Sequence, residues 1–174
     1  ARLLEQALLS RGATVDRIRL REYAIHPASA AAIVPHTRGI ASLTGTTLRV
    51  CSGGWNRDSL ILNIPVYFYG PPALLKASST GQDFFGNKRG EGTRTPRRPA
   101  HAVLCAARTR GDRLFEANLL ILRLFLDTLG FSLHEPLLLR GVERPTDLLH
   151  SQSIAQIERF GLEAAEQATR FYHE

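Results

Sequence analysis

The chain has no methionine, a single tryptophan and only two cysteines among its 174 residues. Two thiols cannot build a disulfide framework or a thiolate metal site. Cys105 lies in the apolar run HAVLCAA and reads as a small core residue. Cys51 has no partner at a useful spacing. The six histidines (His26, His36, His101, His134, His150, His173) are scattered, without the spacing of metal ligands, so no metal site is expected in this reading frame. No apolar run approaches the roughly 18 to 20 residues that a membrane helix needs, and no membrane partner is expected. The opening ARLLEQALLSRG has the pattern of an amphipathic helix and not of a signal peptide. These absences lead to the expectation of an intracellular, cytoplasmic protein. The lack of even an initiator methionine leads to a second one, that the chain begins inside a longer reading frame or has been trimmed.

What is present is an ordinary globular composition, 44% apolar and 22% charged, which predicts one domain over residues 1–174 with a core of its own. The net charge is +6. Much of the excess lies in Lys88 to Arg98, KRGEGTRTPRR, with five basic residues and one acid. No aromatic side chain interrupts that segment, so base stacking has nothing to use. It reads as a solvated loop, and nucleic acid is not expected as a partner.

The periodicity predicts a helix over Ala1–Arg11, with Leu3, Leu4, Ala7 and Leu8 on one face and Gly12 as its stop. Alternation in TVDRIRL predicts a strand over Thr14–Leu20. Helix, Gly-Ala, strand is the second half of a βαβ unit whose first strand is missing. Residues 28–58 carry no sustained period and are rich in Ser, Thr, Gly and Ala. Leu60–Ile64 predicts a buried strand, and a helix should open on Pro71 and Pro72. Residues 78–99 are again irregular. His101–Ala107 predicts a third strand and Arg113–Leu129 a strong helix ended by Gly130. Phe131–Leu139 should be a fourth strand, Thr146-Asp147 a helix cap, and Ser153 to about Tyr172 the last helix. Strands alternating with helices imply an α/β fold, a parallel sheet with helices on both faces.

The most telling stretch is LILNIPVYFYGPPALLKA, Leu60 to Ala77. Strand, aromatic loop and helix follow one another, and in α/β sheets ligand loops lie at the C-terminal ends of strands. The row Val66, Tyr67, Phe68, Tyr69 suits a flat aromatic ligand. This stretch resembles the flavin-contacting loop of the NAD(P)H-dependent FMN reductases and iron-sulfur flavoproteins, a flavodoxin-like family. VLCAARTRGDRLFEANLLILRLFLDTLGF, from Val103 on, is similar to the strand, flavin-side loop and helix of the same family.

The resemblance implies a flavodoxin-like three-layer fold without its first strand and phosphate loop, and an oxidoreductase that moves a hydride from NAD(P)H to bound FMN and electrons on to a small acceptor. It implies FMN contacts from Pro65, Val66, Tyr67, Phe68, Tyr69 and Gly70. Ala107, Arg108, Thr109, Arg110 and Gly111 would form a second wall, with Arg108 or Arg110 placing positive charge near the pyrimidine end of the flavin. Family members are commonly homodimers. No catalytic acid or base is required, because the cofactor carries the electrons. Each of these residues also has a plainer reading: the aromatics as core and rim, Arg108 and Arg110 as solvated, and Glu116, Arg123 and Asp127 as exposed helix positions.

The family's cysteine cluster is absent here, and codon degeneracy suggests why. Pro27 to Val34, back-translated and regrouped by one base, permits C-I-G-C-G-H-C. The same offset at Ala77 to Gly81 permits L-I-D-R, which would complete a helix sequence common in the family. The expectation is therefore a frame-shifted reading of a reductase gene, with an iron-sulfur cluster only if the shifted frame is the real one. Three other functions stay open: a non-enzymatic flavodoxin-type electron carrier, which the basic charge disfavours, binding of RNA or DNA through Lys88 to Arg98, and an inactive gene product.

Overall fold

The computed structural model describes residues 1–22, 57–80 and 97–171. Cys51, the alternative-frame residues Pro27 to Val34, and most of the Lys88–Arg98 segment lie outside them.

The sheet is parallel throughout. Its central strand is β2 (Arg98–Ala106). Strand β1 (Leu60–Pro65) pairs along one side, from Leu60 opposite Ala100 to Pro65 opposite Cys105. On the other side run β3 (Phe131–Leu133) and β4 (Leu137–Arg140), both parallel to β2. They stand where one strand over Phe131–Leu139 was expected. Residues His134–Pro136 interrupt it, and Pro136 cannot donate to a ladder.

Period-two alternation in β2 separates two cores. Ala100, Ala102, Leu104 and Ala106 point to one face. Helix α3 (Glu116–Leu129) covers them with Leu122, Leu126 and Leu129, and helix α2 (Ala73–Thr80) adds Leu75. Val103 points to the other face, where it meets Leu4 and Leu8 of helix α1 (Arg2–Leu9) and Ile157, Phe160, Ala164 and Ala165 of helix α4 (Ser151–Phe171). Helices on both faces of a parallel sheet are the expected fold class. Helix α3 ends as its sequence predicts, on Gly130 in the left-handed conformation at φ 79°.

Several boundaries differ from the sequence expectation: helix α3 begins at Glu116, three residues after Arg113, and helix α2 continues through Ser78–Thr80, which were expected to be irregular. Helix α2 begins at Ala73, not on Pro71; the Lys76 amide is the first to reach back, to the Pro72 carbonyl. Arg98 and Pro99 belong to β2 and not to an irregular stretch. Arg98 stacks on Phe131, 4.3 Å from the ring centroid, so the end of the basic segment is bound to the fold. Helix α4 starts two residues early, at Ser151, behind a turn in which Asp147 accepts the amides of Glu143 and Arg144.

The expected strand Thr14–Leu20 does not form. Residues 13–19 are irregular and lead into a short 3₁₀ turn, Leu20–Glu22. Alternation supplies a half-buried face, but a strand also needs a neighbour to pair its backbone. Among the described residues no strand pairs with this segment. It is held by side chains instead: Val15 packs on the α1–α4 core, Arg17 pairs with Glu5, and Asp16 pairs with Arg57 at 2.6 Å.

Helices α1 and α4 cross at Gly161. A Cβ there would lie 2.8 Å from the Ala7 Cβ and 3.0 Å from Leu4 Cδ1. Gly161→Ala gains about 1 kcal/mol of helix propensity, but the atom it strikes is a rigid Cβ, and forcing the helices apart costs about 1–3 kcal/mol. The expected net result is a loss of about 1 kcal/mol in denaturant titrations, recovered when Ala7→Gly is added. A stabilised single variant would show that the two helices can separate freely.

Candidate functional site

Three loops gather at the C-terminal ends of the strands. The first, after β1, is a tight turn. Tyr67 and Gly70 exchange both backbone hydrogen bonds, at 3.0 and 2.8 Å. Phe68 and Tyr69 between them have φ of 48° and 64°. Two successive left-handed residues describe a type I′ turn, which ordinarily takes Asn or Gly. Bulky aromatic residues here store strain of order 1–3 kcal/mol each, which persists only where the surroundings hold it.

Two groups hold it. Asn118, fully buried near the start of α3, donates from Nδ2 to the Tyr69 carbonyl at 2.8 Å. Arg108, in the loop after β2, donates from Nη1 to the Tyr69 hydroxyl at 2.9 Å, and its guanidinium stands 5.7 Å from the Tyr69 ring centroid. The turn therefore offers rings to solvent on a fixed backbone: Phe68 is fully exposed and Tyr67 is 61% exposed.

The second loop, Ala107–Gly111, faces the first. Among the described residues none of its backbone N–H groups donates to a carbonyl. Gly111 has φ +125°, a backbone conformation that strains any residue with a side chain, and a Cβ there would make ordinary contact with the Tyr69 hydroxyl at 3.4 Å. Its carbonyl accepts from Arg140 Nη2 at 3.0 Å. Arg140 also lies over Phe115, 5.1 Å from the ring centroid. The third loop, after β4, backs the second: Gly141 donates its N–H to the Arg108 carbonyl at 3.3 Å. The left-handed Gly141 leaves room for Thr109, whose methyl would be 3.2 Å from a Cβ at that position.

The structure thus brings Pro65–Gly70 and Ala107–Gly111 together at one edge. Arg108 engages Tyr69, Thr109 packs by Gly141, and Arg110 stays exposed. With Arg140 they make this edge basic. Asn118, Arg140 and Gly141 were not foreseen. One signal for Asn118 was available: it stands four residues before Leu122 and eight before Leu126, a polar side chain in line with the buried leucines of α3. Nothing local marks Arg140 or Gly141, because their roles come from a neighbouring strand.

Cys105, expected in the core, is partly buried beside the α1–α4 cluster, and burial raises its thiol pKa. It is not an activated nucleophile. His101 is almost fully buried and stacks on His134 at 5.3 Å, a pairing that scattered sequence positions did not reveal.

No family model and no curated protein matches the chain. Solved structures do match in fold. A flavone reductase aligns with 98% of this chain at TM-score 0.69 and 13% identity, and the chain spans 58% of that protein. An NADH:FMN oxidoreductase in its apo form aligns with 95% of this chain, and 80% of its own, at TM-score 0.57 and 17% identity. An azoreductase from Bacillus anthracis aligns with 96% of this chain, and 89% of its own, at TM-score 0.59 and 14% identity. The fold is therefore the flavodoxin-like α/β fold; in open α/β sheets generally, ligands bind at the carboxyl ends of the strands. Among the described residues no helix is long and apolar enough to cross a membrane.

Proposed function

We propose that this chain is an NAD(P)H-dependent flavin oxidoreductase that holds FMN between the Tyr67–Gly70 turn and the Ala107–Gly111 loop, works as a homodimer and resides in the cytoplasm. The observation that carries this reading is the clamped aromatic turn. A chain does not hold Phe68 and Tyr69 at positive φ for stability's sake, and strain of this kind clusters at ligand sites.

The residues fit the group. Asn118 Oδ1 is buried and has no hydrogen-bond partner among the described residues, and an unpaired buried acceptor is costly unless a ligand or water donor reaches it. The backbone N–H groups of Ala107–Gly111, which donate to no carbonyl among the described residues, suit carbonyl or phosphate oxygens. Bound FMN would take a hydride from the nicotinamide nucleotide and release electrons to a small acceptor. The chain's part is positional. Pro65, Val66 and Gly70 fix the loop backbone, Tyr67 and Phe68 cover an aromatic face, and Arg108 and Arg110 lay positive charge beside it. An iron-sulfur centre belongs to this reading only in the shifted frame, because the given sequence holds just Cys51 and Cys105, too few thiolates for a cluster.

Titration with FMN is expected to raise the Tm of the purified chain and to quench flavin fluorescence. With FMN bound, NADH or NADPH should be consumed when a quinone or flavin acceptor is added. A Tm that stays constant up to millimolar FMN would rule the reading out.

A further inference from the structure

The loop after β4 borders a cleft of about 330 Å³ between the end of that strand and the start of α4. Arg140, Gly141, Asp147, His150, Gln152 and Gln156 are on its walls. The cleft adjoins the second loop directly. Gly141 donates its N–H to the Arg108 carbonyl, and Arg140 donates to the Gly111 carbonyl. Asp147 supplies the carboxylate of the cleft. Its Oδ2 accepts the amides of Arg144 at 2.7 Å and Glu143 at 2.9 Å. Those bonds, the Arg144 amide first, hold its pKa below the ordinary value. Among the described residues Oδ1 accepts nothing. A carboxylate fixed by one oxygen thus keeps a charged acceptor free on the other.

We infer that this cleft receives the adenosine end of the nicotinamide nucleotide and that Asp147 selects NADH over NADPH. The inference rests on the proposed function for the identity of the electron donor; it adds where that donor is held and which form is used. Size is the first argument. Ligand pockets run from roughly 300 to 1,000 Å³, so the cleft suits one end of a dinucleotide and not the whole of it. Position is the second. The cleft shares Arg140 and Gly141 with the contacts that back the Ala107–Gly111 loop, so a dinucleotide reaches from one to the other. Chemistry is the third. The amides of Gln152 and Gln156 offer both donors and acceptors, as the edge of a base requires. Arg140 is tied to the Gly111 carbonyl and the Phe115 ring, on the flavin side of the cleft, so its charge serves the pyrophosphate and not the ribose. Asp147 meets the ribose. An ionised carboxylate accepts from the ribose hydroxyls of NADH, whereas the 2′-phosphate of NADPH in the same place sets like charge on like.

ADP-ribose carries the adenosine end without the nicotinamide, so its binding reads this cleft apart from any redox activity. Calorimetric titration of the full chain should show one site for ADP-ribose, and 2′-phospho-ADP-ribose should bind about tenfold or more weakly. Asp147→Asn keeps an oxygen for the two amides and removes the charge. It should narrow that gap about fivefold or more, through tighter binding of the phosphorylated ligand. Gln156→Trp fills the cleft from α4 and should abolish ADP-ribose binding, with a melting curve to show that the variant is folded. Equal affinity for the two ligands, tighter binding of the phosphorylated one, no binding of either, or ADP-ribose binding undisturbed by Gln156→Trp would each overturn the inference. FMN titration is a separate readout. A chain that binds FMN but no ADP-ribose keeps the proposed function and loses this site; one that binds ADP-ribose selectively but no FMN does the reverse.

Discussion

Asn118→Leu is expected to leave the chain folded and to weaken FMN binding about tenfold or more. The two effects separate because of what Asn118 does. Its Nδ2 holds the Tyr69 carbonyl, and its Oδ1 is buried and unpartnered among the described residues. Leucine, with the same γ-branched shape, removes that unpaired acceptor, which is favourable, and leaves the Tyr69 carbonyl without its donor, which costs about 1–3 kcal/mol. The turn can relax toward solvent and recover part of that loss, so net stability should change by no more than about 1 kcal/mol. Relaxation takes Phe68 and Tyr69 out of their left-handed conformations, and the preset shape of the site goes with it. Equilibrium fluorescence titration with FMN, read beside denaturant unfolding, distinguishes this from simple destabilisation. Unchanged affinity in a folded Asn118→Leu variant would mean that the turn has no part in holding the ligand.

Acid should unfold the protein through His101. Burial lowers its pKa from 6.5 to about 4, with a smaller contribution from the neighbouring His134. Its Nε2 has no partner among the described residues, and its ring packs edge-on against Phe160 at 5.9 Å. The folded-state pKa is depressed, so the unfolded chain takes up the proton first as pH falls. The stability from a neutral His101 is complete above about pH 6.5 and drains away down to about pH 4, where the native state is protonated as well. The total is about 3 kcal/mol, with a slope of about 1.4 kcal/mol per pH unit inside that window. For a domain of marginal stability this is a large share. Unfolding titrations in steps from pH 7.5 to pH 4 should show the slope, and His101→Phe should flatten it. A stability curve of equal slope in that variant would assign the acid sensitivity to other groups.

Much of this protein was legible in the residues themselves. The apolar run before Pro65, the alanine-rich HAVLCAA and the leucine spacing of α3 each report a buried element. Burial imposes a periodicity that needs no knowledge of partners. The order of those elements dictates a parallel sheet with helices on both faces, and that order puts Val66–Gly70 and Ala107–Gly111 at the same edge, because both follow the C-terminal ends of neighbouring parallel strands. What only the tertiary structure decided depends on pairing between distant segments. Thr14–Leu20 alternates like a strand but is irregular, since a ladder exists only where a second backbone stands beside it. Phe131–Leu139 breaks in two around Pro136 for want of a donor. The left-handed turn at Phe68 and Tyr69 could not be read from two aromatic residues that avoid that conformation on their own. It exists because Asn118, forty-nine residues beyond Tyr69, and Arg108 are brought against it by the fold. Local sequence sets which segments must be buried, and the contacts between segments set the shape that strain, charge and unpaired polar atoms take at the site.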